Sequence, residues 1–275
     1  MSNLIKRTVF GAIYVAVILA ACLCYKPYCF ELIFLLISMF TVREFHKITH
    51  ATHGQTMGAM LLTAILHVGV WSWACLSQIT VLPGAVWGLT AYALLLMVLL
   101  IAELFQTDHN PIEAWGNLLI GQILIALPFA LMNILMSQSN MLLLSLFVVI
   151  WINDSGAYCV GSLLGKHKML PRVSPGKTWE GFLGGMLFGM LAGYLLFVDP
   201  FGITNLSYSV WQGLLISAVI VIFGTLGDLM ESLLKRTLGI KDSGNVLPGH
   251  GGFLDRFDSV LLATSALSVL LIILN

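Results

Sequence analysis

Charge is what this chain has least of. Only 9% of its 275 residues are Asp, Glu, Lys or Arg, against about 25% in an ordinary soluble domain. The 13 basic and 13 acidic side chains cancel, so no basic excess points to nucleic acid. Cysteine is also scarce. Cys22, Cys24, Cys29, Cys75 and Cys159 form no CxxC pair, which removes the usual thiolate metal sites and disulfide frameworks. Those inside apolar runs read as small apolar side chains. There is no Ser/Gly linker, no low-complexity tract and no internal repeat. The missing repeat disfavours an inverted-repeat transporter.

What is present in quantity is hydrophobic residue, 59% of the chain. It falls in nine apolar segments, at 8–24, 28–42, 57–76, 83–105, 116–135, 141–163, 181–198, 210–228 and 259–274. A helix needs about 20 apolar residues to cross a bilayer. Segments two and nine are short and read as full, tilted or re-entrant pieces. The expected fold class is all-α, a polytopic transmembrane bundle of about nine helices with a cytoplasmic-facing polar cavity. The chain reads as a single integral membrane domain, 1–275, with N-terminal helices in 1–140 and catalytic helices and loops in 141–275. The start, with Lys6 and Arg7 before an apolar run, resembles a signal peptide but lacks a small-residue cleavage site. It is expected to stay as the first helix.

Basic residues orient the bundle. With nine helices and a cytoplasmic N-terminus, the cytoplasmic pieces hold Lys6, Arg7, Arg43, Lys47, Lys166, Lys168, Arg172, Lys177, Lys235, Arg236, Lys241 and Arg256. Only Lys26 falls outside. That is the positive-inside pattern, and a miscounted span between two basic loops would scatter it. Segment seven carries Gly181, Gly185, Gly189 and Gly193, a glycine face that permits close helix approach. Packing within the chain is one reading of this face; a homodimer contact is the other.

The remaining charge is concentrated. Between Asp228 and Asp258 lie Asp228, Glu231, Asp242, Asp255 and Asp258, with Lys235, Arg236, Lys241, Arg256 and His250. A solvated helix end would explain Asp228 to Arg236 alone, but not the rest. Glycines flank His250 at Gly249, Gly251 and Gly252, and can turn backbone N–H groups toward an anion. Carboxylates suit Mg²⁺, and Lys and Arg suit phosphates. Together they describe a metal–polyphosphate site. A second polar stretch begins inside segment six at Asn153-Asp154-Ser155, where an ionisable residue at membrane depth is a functional candidate. It continues to Ser174-Pro175-Gly176-Lys177-Thr178-Trp179-Glu180. Gly176-Lys177-Thr178 is not a Walker loop: position 171 is Pro171, and no strand is expected before it.

These residues carry a resemblance. The run Ser232-x-Leu234-Lys235-Arg236-x4-Lys241-Asp242-x-Gly244-x2-Leu247-Pro248-x-His250-Gly251-Gly252-Phe253-x-Asp255-Arg256-Phe257-Asp258 resembles the signature of phosphatidate cytidylyltransferases, the CDP-diacylglycerol synthases. Asp154-Ser155-x-Ala157-Tyr158 and Ser174-Pro175-x-Lys177-Thr178-x-Glu180-Gly181 resemble the family too. Ser155 stands where Thr is common, and Gly176 where Lys is. The likeness is strong over 155–260 and only one of hydropathy over 1–140.

The resemblance implies that CMP passes from CTP to phosphatidate in the bilayer, with release of pyrophosphate. It implies Mg²⁺, with a second cation as an option, and the bacterial inner membrane. The expected metal ligands are Asp228, Asp242, Asp255 and Asp258, with Asp228 and Asp258 the first choices because each lies at the mouth of a span, and Glu231 next. Lys235, Arg236, Lys241 and Arg256 are expected phosphate clamps, and His250 with Gly251 and Gly252 would either cradle the triphosphate or donate a proton to pyrophosphate. Asn153, Asp154, Ser174, Lys177 and Glu180 are expected to bind substrate. A lipid kinase or other lipid phosphotransferase uses the same logic. A transporter would need a continuous polar path, for which few groups at depth are visible.

Overall fold

The computed structural model describes residues 3–24, 26–76, 83–244 and 251–274, and His250 therefore lies outside the described residues. Nine helical stretches are present among them. They are α1 (Asn3–Leu23), α2 (Pro27–Ile48), α3 (His53–Leu76), α4 (Pro83–Ala102), α5 (Pro111–Gln138), α6 (Asn140–Leu164), α7 (Trp179–Val198), α8 (Val210–Thr237) and α9 (Leu254–Leu274). A 3₁₀ turn, Glu103–Phe105, follows α4, and α5 contains a π turn at Gln122–Ala126. Helices α3 to α9 lie in seven stretches long and apolar enough to cross a membrane. The short ninth segment is thus a full-length span of 21 residues. Helix α2 is 22 residues long but is not among the seven. Glu31 interrupts its apolar run, and Arg43 and Glu44 end it.

The helix starts follow local chemistry. Pro27 and Pro111 occupy first-turn positions, where a missing N–H costs nothing. Asn110, Ser139 and Thr178 cap α5, α6 and α7 with side-chain oxygens, each satisfying an orphan backbone donor. Ser209 and Gln212 form a reciprocal capping box on α8.

Among the boundaries that differ from the sequence expectation, two bear on the polar segment. Helix α8 runs to Thr237 rather than ending near 228, and α9 starts at Leu254 rather than 259. Polar residues at a span's mouth remain helical there, so Asp228, Glu231, Lys235, Asp255 and Asp258 all sit on helices. The loop after α6 also holds a two-stranded antiparallel hairpin, β1 (Lys168–Leu170) with β2 (Ser174–Thr178), pairing Lys168 with Thr178 and Leu170 with Ser174. Gly176, Lys177 and Thr178 lie inside β2, whereas a phosphate loop follows its strand. Geometry therefore excludes the Walker reading as well.

The chain gathers into two compact units. One is Met1–Ser137 with Asp242–Arg256; the other is Gln138–Lys241 with Phe257–Asn275. The change near 138 falls beside the boundary read at 140, but the return of 242–256 to the first unit has no counterpart in the sequence. In the first unit Phe30, Phe34 and Phe129 are fully buried, with Phe30 and Phe34 stacked at 4.3 Å. This unit carries more buried polarity than its hydropathy suggests. Glu31 and His67 pair at 3.4 Å while nearly fully buried. Gln122 donates to Thr63 Oγ1 and to the Ala59 carbonyl, each at 3.2 Å.

In the second unit the glycine face of α7 is filled from within. A Cβ at Gly181 would meet the Ala157 carbonyl, and one at Gly185 would meet Asn153. At Gly189 it would meet Val221, and at Gly193 it would fall on Ser217. All four glycines exist to let α6 and α8 approach α7. The packing reading describes this face; the surface a homodimer would need is occupied by the chain's own helices.

Candidate active site

In the second unit, α6, β2 and α8 bring three sequence-predicted groups together. Asp154 projects from α6, Lys177 from β2 and Asp228 from α8. Lys177 Nζ lies 2.7 Å from Asp228 Oδ2, and it also donates to the Thr225 carbonyl at 3.4 Å. A cavity of about 480 Å³ is lined by Asn153, Asp154, Tyr158, Lys177, Thr225 and Asp228, among others. Asn153 is buried. Its Nδ2 donates to Asp154 Oδ1 at 3.1 Å, while its Oδ1 is buried without a hydrogen-bond partner. The hairpin is what delivers Lys177: strand pairing fixes β2, and Thr178 then caps α7.

Asp258 joins this cluster through a close helix crossing. A Cβ at Gly227 would come within 2.5 Å of the Asp258 carbonyl, so only glycine lets α9 press against α8 there. Asp154, Asp228 and Asp258 lie within electrostatic reach of one another. One turn along α8, Glu231 and Lys235 form a largely buried i,i+4 ion pair at 2.5 Å. Arg236 is exposed and directs Nε to the Val173 carbonyl at 3.5 Å.

Among the described residues, no three His, Cys, Asp or Glu side chains converge tightly enough to form a metal cage. The donor chemistry nonetheless fits Mg²⁺. Three carboxylates face one another with Lys177 as the close cation, and Mg²⁺ is commonly held by one or two carboxylates plus substrate phosphates rather than by a full protein cage.

Two predicted substrate-binding residues are engaged elsewhere in this unit. Glu180 accepts from the backbone N–H groups of Lys166 and His167 and pairs with His167 Nδ1 at 2.5 Å. It ties the start of the hairpin loop to α7. Ser174 sits at the start of β2, opposite Leu170.

Of the other predicted residues, Asp242, Gly251, Gly252, Asp255 and Arg256 belong to the first unit, and Lys241 to the second. Asp255 Oδ2 accepts from Ser243 N at 2.9 Å, Ser243 Oγ at 2.9 Å and Gly252 N at 2.8 Å. Gly251 takes a left-handed φ of +79° against that carboxylate. Asp242 and Lys241 are exposed. The Arg256 carbonyl accepts from Tyr14 Oη at 3.1 Å.

Sequence reasoning missed Glu44. This α2 residue, past the apolar stretch 28–42, accepts from Leu254 N at 2.9 Å. Burial pushes its carboxyl above the usual carboxylate range, an effect the Leu254 N–H opposes. Its only sequence signal is an acid at the end of an apolar run. Nothing in spacing links it to a loop some 200 residues later.

A model of the Cytidylyltransferase family matches residues 5–274. A relative from Staphylococcus haemolyticus described as a phosphatidate cytidylyltransferase is 48% identical over 128 residues, 46% of this chain and 47% of the relative. One from Staphylococcus epidermidis with the same description is 47% identical over 138 residues, 50% of this chain and 51% of the relative. One from Staphylococcus aureus is 46% identical over 128 residues, 46% of this chain and 47% of the relative. The matched stretch spans about half the length of these curated relatives.

Proposed function

We propose, from the premise that this chain belongs to the cytidylyltransferase family, that it transfers CMP from CTP to phosphatidate, giving CDP-diacylglycerol and pyrophosphate for phospholipid synthesis. The observation that carries the reading is the cavity where Asp154 from within α6, Lys177 from the hairpin and Asp228 from within α8 meet, on helices long enough to cross a membrane. A lipid phosphate and a water-soluble nucleotide both have reason to reach such a place. The names of the relatives supply the substrate pair.

The nucleophile is a phosphate oxygen of phosphatidate, already anionic near neutral pH. It attacks the α-phosphorus of CTP; the bond to the bridging oxygen breaks, and that oxygen leaves with pyrophosphate. No strong base is needed. The barrier is one of bringing two polyanions together and stabilising the leaving group, so positioning and charge neutralisation do the catalysis. Lys177, which lines the cavity beside Asp228, neutralises incoming phosphate. Lys235, Arg236 and Lys241, in the same unit, supply further cationic charge. Asp228 and Asp258, with Asp154, would hold Mg²⁺, which would neutralise phosphate charge and orient the triphosphate. The concentration of basic residues in these loops supports a site on the cytoplasmic face, with the N-terminus cytoplasmic and the protein in a bacterial inner membrane.

The test is a nucleotide panel. Purified protein is incubated with phosphatidate and each labelled nucleoside triphosphate, with and without Mg²⁺. CDP-diacylglycerol and pyrophosphate from CTP, only with Mg²⁺, are expected. Release of a nucleoside diphosphate would replace this reading with that of a lipid kinase. Lipid transport into proteoliposomes without nucleotide turnover would replace it with that of a transporter.

A further inference from the structure

The signature segment is held at both of its described ends by two carboxylates. Asp255 is local: it gathers Ser243 from one side of the loop and Gly252 from the other. Glu44 is remote in sequence. It comes from α2, is 6% exposed, and accepts from Leu254 N, the first residue of α9. A carboxylate at that position meets the orphan donors and positive end of a helix dipole.

The loop backbone is shaped around this side chain. A Cβ built on Gly244 would overlap Glu44 Oε1, and one built on Gly252 would overlap the whole carboxylate. Both glycines have φ outside the left-handed region, so backbone conformation does not demand glycine at either position. The space taken by Glu44 does. Two further contacts join α1 and α2 to the same end of the loop: Phe40 stacks on Phe253 at 5.8 Å, and Tyr14 donates to the Arg256 carbonyl.

A buried carboxylate is costly unless its oxygens are hydrogen-bonded. Plain loop closure would be served as well by an apolar residue. What a carboxylate adds is direction: it fixes where the Leu254 amide, and hence the first turn of α9, must lie. Asp258 follows Leu254 by four residues on that helix, one turn on.

We propose that Glu44 is a positioning residue for the transfer reaction, fixing the Gly251–Leu254 backbone and the start of the helix that carries Asp258. This rests on the proposed cytidylyltransferase reading for its consequence but not for its geometry. Two readouts follow in full-length protein. The first is hydrogen exchange over 251–256. Glu44→Ala is expected to lose protection there, while Glu44→Gln, which retains an acceptor, keeps part of it. The second is steady-state kinetics. Glu44→Ala is expected to lower kcat roughly 10²-fold, the scale of a misplaced catalytic group, with a smaller change in KM for phosphatidate. Glu44→Gln is expected to recover part of kcat.

A double-mutant cycle separates positioning from general destabilisation. If Gly244 is glycine because Glu44 fills its space, Gly244→Ala damages the wild type and is nearly silent beside Glu44→Ala. Additive effects would overturn the proposal, as would unchanged exchange over 251–256 in Glu44→Ala. If Glu44→Ala does not accumulate, Glu44→Gln alone decides: partial protection over 251–256 and damage by Gly244→Ala as in the wild type are expected, since it keeps an acceptor and the volume; complete loss of that protection, or a silent Gly244→Ala beside it, overturns the proposal. Should wild-type protein make no CDP-diacylglycerol, the functional reading fails, while exchange and stability readouts still test the anchor.

Discussion

Replacing Lys177 by Met separates what the Lys177–Asp228 pair does for the fold from what it does for chemistry. The side chains are 26% and 33% exposed and 2.7 Å apart. Partly exposed pairs of this kind contribute about 0.2–1 kcal/mol to stability. Loss of the pair should therefore cost no more than about a fivefold change in the folding equilibrium, since 1.4 kcal/mol is tenfold. The effect on turnover should be far larger. Without Lys177, Asp228 keeps Asp154 and Asp258 as near neighbours and loses its close cation, and an incoming triphosphate meets uncompensated negative charge. Removing one preorganised group that meets charge developing in a transition state costs about 10²–10³-fold in kcat. The assay is CTP-dependent CDP-diacylglycerol formation by purified Lys177→Met, beside a thermal melt of the same sample. Lys177→Arg should recover part of the rate, because charge is kept while the guanidinium fork is larger. Turnover within about threefold of wild type, less than 1 kcal/mol of barrier, would refute the placement of Lys177 in the reacting cavity. So would an activity loss that only matches the loss of folded protein.

Asp258→Ala is expected to abolish CTP- and Mg²⁺-dependent product while the protein still inserts into membranes; near wild-type activity of the purified variant would remove Asp258 from the site. Gly193→Ala drives a methyl into Ser217. Overpacking of this kind costs about 1–3 kcal/mol, read as a lowered melting temperature that Ser217→Gly in the same chain restores. A melt unchanged by Gly193→Ala would mean α7 and α8 are not packed as described.

Helix number and the apolar segments were legible because a bilayer imposes one strong rule, about 20 apolar residues per span. Hydropathy does not say where a helix stops once its residues turn polar. Thus α8 continues nine residues past Asp228, and α9 begins before Asp255 rather than after Asp258. The pairing of Asn153–Asp154 with the segment around Lys177 was suggested by an ionisable residue at depth, and both line one cavity with Asp228. The β hairpin was not legible, since two strands of three and five residues carry no periodic signal. Nor was Glu44, whose partners are backbone N–H groups and two glycines, none of which marks its partner in sequence. The same blindness hid the Glu31–His67 pair, because a single acid in a long apolar run barely alters its hydropathy.

The signature aspartates are not equivalent, and hydrogen bonding explains why. A carboxylate oxygen offers about two lone-pair directions. Asp255 Oδ2 already accepts three donors from Ser243 and Gly252, so that oxygen has no direction left for a cation, and its work is to close the loop. Asp258 accepts from its neighbour Ser259 N at 2.6 Å and faces the negative charges of Asp228 and Asp154, offset in part by Lys235. Mutual repulsion among three carboxylates is costly to fold around unless something positive enters. Lys177 offsets part of it, and a bound cation with its phosphates would offset the rest. The two side chains sit three residues apart on one helix: Asp255 tightens the loop before α9, and Asp258 is the one proposed to meet the ligand. Within one signature segment, one aspartate is therefore engaged by its own loop, while the other is left facing the charges of the second unit.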